Sequence, residues 1–439
     1  MNTPPLVLLT ACCLAILLVR RQWAPLPLLV CAVYIPIEQG FEIGPFHFFP
    51  IRVALAVAIV RLLARGERLE GGLSGVDRAF LWLSAAALLT SLGHDDPSGF
   101  LVTRLGFVYT GCGTYFVLRI LCRSLDDVDR MCRACVWLLV PVALAMLQEA
   151  HTARNLFAEL GGVPAVSAIR DGQLRAQGPF LHPILAGSVG AACLPLAAAQ
   201  WPRRPWTAIA GVAACLTIVL ATRSSGPLFG ALFGIVGLIM WRYRHATRSV
   251  RWMLVLGYLA LEVVMNAPAY YVLARMDVTG SSTAWHRAAL IDAAVTHFWD
   301  WWLVGTDYTR HWFAYGVGWS SRHADITNYY VRMGVDGGLP LLIAFVILLA
   351  RAFAMVGTTW RRLARPATAH LHVFLPWALG ASLLSHAASF VGVSYFDQSV
   401  LFLYVTLAGI ASAAEPSSAP AEQQAAVPAA PGYIANLRS

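Results

Sequence analysis

The stretch "HADITNYYVRMGVDGGLPLLIAFVILLA" (residues 323–350) decides how the chain is read. Its first half gathers His323, Asp325, Thr327, Asn328, Tyr329, Tyr330 and Arg332, and its end is an unbroken apolar run. A helix needs about 20 apolar residues to cross a bilayer. The stretch therefore reads as a membrane helix with a polar, aromatic mouth. Similar runs recur near residues 4–19, 24–36, 48–64, 77–93, 100–122, 131–150, 181–200, 205–222, 225–241, 252–267, 370–392 and 396–414. If each is a full span, the fold is an all-α polytopic membrane protein with about 12–13 transmembrane helices.

Composition supports this class. The 439 residues are 58% hydrophobic and 13% charged, with a mean hydropathy of +0.63. The first run, "PLVLLTACCLAILLV", leads into Arg20 and Arg21 instead of a small-residue cleavage site, so it reads as a membrane segment and not as a signal peptide. All 32 basic residues are arginine, against 23 acidic residues, for a net charge of +9. A lysine-dependent mechanism is thereby excluded. Most arginines sit in short loops and no basic domain stands clear of the membrane, so no nucleic-acid partner is expected. The nine cysteines lie in or beside apolar segments. The Cys132–Cys135 CxxC reads as helix packing, and neither a disulfide framework nor a zinc site is implied.

Arginine bias orients the helices. Arg20/Arg21, Arg65/Arg68, Arg119/Arg123/Arg130/Arg133, Arg203/Arg204, Arg242/Arg244/Arg248/Arg251 and Arg361/Arg362/Arg365 fall on alternate loops, which the positive-inside rule places in the cytoplasm. The chain then divides into a bundle over 1–267, an external loop over 268–337, the rest of the bundle over 338–414, and a tail over 415–439. The tail is rich in Ala, Pro and Ser and reads as disordered and cytoplasmic. The external loop carries Trp285, Trp299, Trp301, Trp302, Trp312 and Trp319 with Tyr308 and Tyr315, a composition suited to the membrane interface. Within it "SSTAWHRAALIDAAVTHFW" (281–299) predicts a short amphipathic helix, capped by Ser282 or Thr283, with Ala288, Ile291 and Val295 on one face and Arg287 near its start.

External arginines are the anomaly: Arg154, Arg170, Arg175, Arg223, Arg275, Arg287, Arg310, Arg322 and Arg332 lie where topology depletes them. An anionic ligand explains them, and a diphosphate suits best because guanidinium binds phosphate oxygens bidentately. The alternative is pairing with Asp277, Asp292, Asp300, Asp307, Asp325 and Asp336, or with anionic membrane lipids. "LRAQGPFLHPILAGSVGA" (174–191) sets Arg175 and Gln177 before a Gly-Pro turn, with His182 and Pro183 opening the next helix. "TRSSGPLFGALFG" (222–234) places Arg223, Ser224 and Ser225 in a sharp turn.

The order of these features, over roughly residues 24–410, resembles the O-antigen ligase and O-antigen polymerase superfamily of bacterial envelope glycosyltransferases. The matching stretches are Arg175 through Pro183, Ser224 through Gly226, "WHRAALID" with "WWLVGT", and Asn328 through Gly338. The resemblance implies a GT-C-like bundle in the bacterial inner membrane with one large, partly helical periplasmic loop. It implies a cofactor-free, metal-independent, inverting transfer from a polyprenyl-diphosphate-linked glycan to an acceptor hydroxyl. That acceptor is lipid A core in ligases and a second lipid-linked glycan in polymerases. Arg175, Arg223 and Arg287 would hold the diphosphate, with Asn328 and Tyr330 also binding substrate. Two positions depart from the family: Thr327 stands where relatives keep histidine, and Ser225 stands where they keep arginine. His323 or Asp325 is then expected as the catalytic base, with Asp325 alternatively the cap of the following helix. His386, inside an apolar segment, is a further suspect. A secondary transporter or a scaffold with an aromatic binding surface are the other classes the pattern allows.

Overall fold

A computed structural model of the chain describes residues 1–44, 46–170, 172–275, 283–315, 317, 320–364 and 373–415. Each apolar run folds as a helix. In chain order these are α1 (Thr3–Leu18), α2 (Pro25–Tyr34), α3 (Pro50–Ala64), α4 (Gly75–Thr90), α5 (Pro97–Leu121), α6 (Leu125–Thr152), α7 (Pro183–Ala198), α8 (Pro205–Ala221), α9 (Ser225–Ile239) and α10 (Thr247–Val264). The aromatic loop adds α11 (Val272–Arg275), α12 (Thr283–Thr296) and α13 (Phe298–Trp301), before α14 (Tyr329–Leu363), α15 (Phe374–Ser389) and α16 (Val400–Ala413).

Local sequence explains where the helices start. Five of them, α2, α3, α5, α7 and α8, begin on proline, whose fixed φ and missing N–H cost nothing in a first turn. Ser74 and Asp77 form a reciprocal capping box at the start of α4. Four stretches are long and apolar enough to cross a membrane: Gly75–Gly93, Pro97–Leu121, Leu125–Thr152 and Tyr329–Leu363. Ser225–Ile239 with Arg244–Val264, bent by 102°, makes a fifth if it is one broken span. Full-length crossings therefore fall short of the expected 12–13 among the described residues. A 16-residue helix such as α1 rises only about 24 Å, against a hydrocarbon core of about 30 Å. The all-α expectation also missed two small antiparallel hairpins, β1 (Phe41–Ile43) with β2 (Phe46–Phe48) and β3 (Ala168–Arg170) with β4 (Gln173–Arg175).

The helices pack as a bundle in which α15 touches α9, α7 and α14, while α14 lies on α4 and α8 on both α6 and α7. Small residues make the α9–α15 seam, Gly230, Gly234 and Gly237 facing Ser389, Ser385 and Ala381. At one end of the bundle Asp127 pairs with Arg21 and Arg130, and Asp129 with Arg203 and Arg204. Those arginines are thus tied to carboxylates.

The aromatic loop has its own small core of Leu290, Ala293, Ala294, Trp301, Trp312, Ile326 and Val335. Helix α12 forms as expected, but its buried residues include Ala288, Leu290, Ala293 and Ala294, whereas Val295 is 61% exposed. Ser282, Trp319, Asp277 and the tail beyond residue 415 lie outside the described residues.

The loop docks on a break in α14, and the sequence "VDGGLP" explains that break. Pro340 has no N–H to offer the carbonyl of Asp336, which instead accepts from Arg104 Nη2 at 2.6 Å. One residue earlier, Leu339 N donates to Trp302 O at 2.8 Å and Val335 O accepts from Thr306 N at 2.9 Å. Both halves of the lost helical bond are thus satisfied by the loop. The approach is close enough to require glycine on each side. A Cβ on Gly338 (φ 66°) would lie 2.4 Å from Leu303 O, and one on Gly305 (φ 99°) would lie 2.2 Å from Val335 O.

Gly305→Ala and Gly338→Ala should each lower the thermal unfolding temperature in detergent micelles. The dihedral strain alone costs about 1–3 kcal/mol, and the collision adds to it. Gly257, with nothing within 4 Å of its Cβ position, serves as the control. Equal unfolding temperatures for all three alanine variants would contradict this account of the break.

Candidate functional site

The segment between Arg175 and Pro183 is non-helical, so its backbone groups need partners away from water. Buried side chains supply them. Glu149 of α6 accepts from Ser167 Oγ at 2.9 Å, Gln177 N at 3.1 Å and Gly178 N at 2.9 Å. Asn155 Nδ2 donates to Gly178 O and Gln398 Nε2 to Pro179 O, both at 2.8 Å. Asp397 Oδ2 accepts from Leu181 N at 3.1 Å. This scaffold aims the Arg175 guanidinium at the turn before α9. There its Nε donates to Thr222 O at 3.1 Å and its Nη2 to Ser224 Oγ at 2.6 Å.

Two more arginines meet the same turn. Arg223 adopts φ 44° within it, and its Nη1 donates to Gln173 Oε1 at 2.6 Å. Arg287, near the start of α12, donates from Nη2 to Ser225 Oγ at 2.6 Å. Its guanidinium packs over Gly392, where a Cβ would come within 2.5 Å of Nε. Ser225 thus receives an arginine from the aromatic loop.

These three arginines line a cavity of about 2030 Å³ together with Arg52, Arg104, Arg170 and Arg332. Seven arginines face four carboxylates there, those of Glu38, Asp325, Asp336 and Asp397. Two of the four are already engaged. Asp336 pairs with Arg332 at 2.9 Å and Arg104 at 3.4 Å, and Asp397 accepts from Leu181 N and Ser399 N. The surplus is positive. Phe49, Ile51, Phe107, Leu228, Leu341 and Leu401 add an apolar wall. A cavity of this kind suits an anionic head carried on a hydrocarbon chain.

Not every expected residue joins it. Asp325 and Thr327 line the cavity, whereas His323, Asn328 and Tyr330 are not part of its lining. His323 is half-buried, and burial followed by the nearby Arg332 guanidinium pushes its imidazole below the ordinary pKa. Asn328, rather than Asp325, caps α14, its Oδ1 accepting from Tyr330 N and Val331 N at 2.9 and 3.1 Å. Its Nδ2 donates to Val391 O at 3.2 Å, and the Tyr330 hydroxyl donates to Ala387 O at 3.0 Å. Both residues hold α14 against α15 and the segment after it. His386 is buried with Nδ1 3.0 Å from the Tyr395 hydroxyl, a bond from α15 to the segment that joins it to α16.

His286 is the residue the sequence reading passed over, although it directly precedes Arg287. It lines the cavity, with Nε2 3.0 Å from the Asp325 carbonyl and Nδ1 3.1 Å from the Tyr315 hydroxyl. A carbonyl only accepts, so Nε2 carries a proton and donates to it. The imidazole thereby ties α12 to the backbone of Asp325.

His182 shows how the cavity treats a titrating group. Its Nδ1 caps α7 by accepting from Ile184 N at 3.1 Å. Burial, then Arg175 and Arg170, bring its pKa from 6.5 down to about 4. The imidazole is neutral at pH 7. Because the unfolded chain binds this proton more readily, stability is full above pH 6.5 and falls as pH drops towards 4, by on the order of 1–3 kcal/mol. His182→Asn keeps an acceptor for Ile184 N and should flatten that part of the stability–pH curve. An unchanged slope in thermal unfolding between pH 7 and about pH 4.5 would contradict the assignment.

No known protein-family model matches the chain, and no curated protein matches it in sequence.

Proposed function

We propose that the chain is a glycosyltransferase of the O-antigen ligase or polymerase type, a GT-C-like enzyme of the bacterial inner membrane. On this reading it moves a glycan from a polyprenyl-diphosphate carrier to an acceptor hydroxyl at the periplasmic face, during lipopolysaccharide or exopolysaccharide synthesis. One observation carries the reading. Arg175 and Arg287 bond the two serines of the turn that holds Arg223, so three arginines meet at one wall of a large, partly apolar cavity.

In the proposed reaction the acceptor oxygen attacks the anomeric carbon opposite the carrier, and the bond from that carbon to the diphosphate oxygen breaks. Configuration inverts in this single displacement. Negative charge grows on the departing diphosphate, and arginines already fixed in place stabilise it more than they stabilise the bound donor. A diphosphate so neutralised leaves without a general acid. The acceptor proton passes to the Asp325 carboxylate, whose main chain His286 steadies. His323, set aside from the cavity lining, has no part in this scheme. The acceptor is lipid A core or a second lipid-linked glycan.

A secondary transporter would use the break in α14 as an ion site. The backbone groups freed there are bonded to Trp302 and Thr306, which favours the transferase.

Arg175→Ala and Arg287→Ala should each lower transfer by about 100-fold or more at unchanged protein level, the loss seen when one charge-stabilising donor is removed. Asp325→Asn should lower kcat by roughly 100-fold, while His323→Ala stays near wild type. In a deletion strain, lipid-linked polymer without its attachment to lipid A core indicates a ligase, and single repeat units indicate a polymerase. An unchanged glycan profile, or wild-type transfer by Arg287→Ala, would refute the proposal.

A further inference from the structure

Away from the cavity, the aromatic loop brings together two histidines and a carboxylate from separate turns. His297 lies between α12 and α13, Asp300 is in α13, and His311 is in the 3₁₀ turn Arg310–Trp312. Asp300 Oδ2 is 3.3 Å from His297 Nδ1 and 3.0 Å from His311 Nε2. One donor atom from each residue lies within 4.8 Å of the other two. None of the three residues lines the cavity.

We infer that His297, Asp300 and His311 form a binding site for a divalent transition metal of the zinc class, which ties the end of α12 to the turn at His311. The two distances to Asp300 fit: around zinc, with bonds of about 2.0–2.1 Å, tetrahedral ligand atoms lie about 3.3 Å apart. The donor set fits as well, since two imidazoles and one carboxylate suit zinc, nickel, copper or ferrous iron better than the oxygen-seeking magnesium or calcium. The rings are held in place before any metal arrives. His297 stacks on the buried Trp312 at 5.9 Å and 7°, and His311 stacks on Tyr308 at 5.2 Å and 12°. The two imidazoles stand perpendicular with centroids 4.5 Å apart, so their nitrogens can converge on one ion without stacking on each other. Side-chain exposures of 29%, 43% and 37% for His297, Asp300 and His311 leave a path for the ion and room for water as a further ligand.

The metal acts as a staple. It closes the chain between His297 and His311 across Trp301 and Trp302, the residues that meet the break in α14 through Gly334 and Leu339. This assignment is independent of the proposed transferase activity.

The test uses the full chain in detergent, stripped with chelator and titrated with zinc by calorimetry, with cobalt as a spectroscopic probe. The expected result is one zinc equivalent, a rise in unfolding temperature on loading, and visible cobalt bands. The double variant His297→Ala/His311→Ala should lose all three, and Asp300→Asn should weaken binding by tenfold or more. Asp300→Asn preserves shape and is decisive if the double variant does not fold. Absence of zinc binding by the wild type, or equal binding by wild type and Asp300→Asn, would overturn the site and leave a hydrogen-bonded triad.

Discussion

The carboxylate of Glu149 is the constraint on which the cavity depends. A non-helical segment packed among helices has backbone groups that neither water nor a helical neighbour can satisfy. Glu149 takes two of them, Gln177 N and Gly178 N, and also the Ser167 hydroxyl. Asn155, Gln398 and Asp397 take Gly178 O, Pro179 O and Leu181 N in turn. The direction of Arg175 follows from this anchoring, as does its meeting with the serine turn before α9. Removing Glu149 would leave several donors buried and unpaired, each costing about 1–3 kcal/mol.

The same rule governs the break in α14. Proline and paired glycines interrupt α14, and the freed groups are taken by Arg104 and by the loop at Trp302 and Thr306. The break therefore does two jobs. It seats the aromatic loop that carries His286 and Arg287, and it sets Asp336 between Arg104 and Arg332, so that this carboxylate offsets those two arginines and not the three at the serine turn.

How much of this could be read beforehand varied with the kind of signal. Hydropathy located the apolar helices, because burial in lipid or protein demands the same residues. It gave more full crossings than the four or five stretches long enough among the described residues, because the turns that bound α2, α7 and α8 do not interrupt an apolar run. Arg175, Arg223 and Arg287 stood out as charges in the wrong place, and the structure brings them to one turn. Side-chain direction was beyond the pattern. His323 and Asp325 are two residues apart, yet only Asp325 faces the cavity; Asn328 and Tyr330 looked like substrate contacts and spend their polar groups on caps and carbonyls. Glu149 carries no pattern signal of its own, and His297, Asp300 and His311 show no compact metal spacing because a turn, not one helix, joins them.

The central claim is that the arginine-lined cavity recognises a lipid diphosphate. It is tested most directly by comparing the binding of a polyprenyl diphosphate and the corresponding monophosphate to the purified protein, for example by native mass spectrometry with competition. The account predicts at least tenfold tighter binding of the diphosphate, about 1.4 kcal/mol, with the margin shrinking when Arg175 or Arg287 is replaced by alanine. Equal binding of the two lipids by the wild-type protein would contradict it.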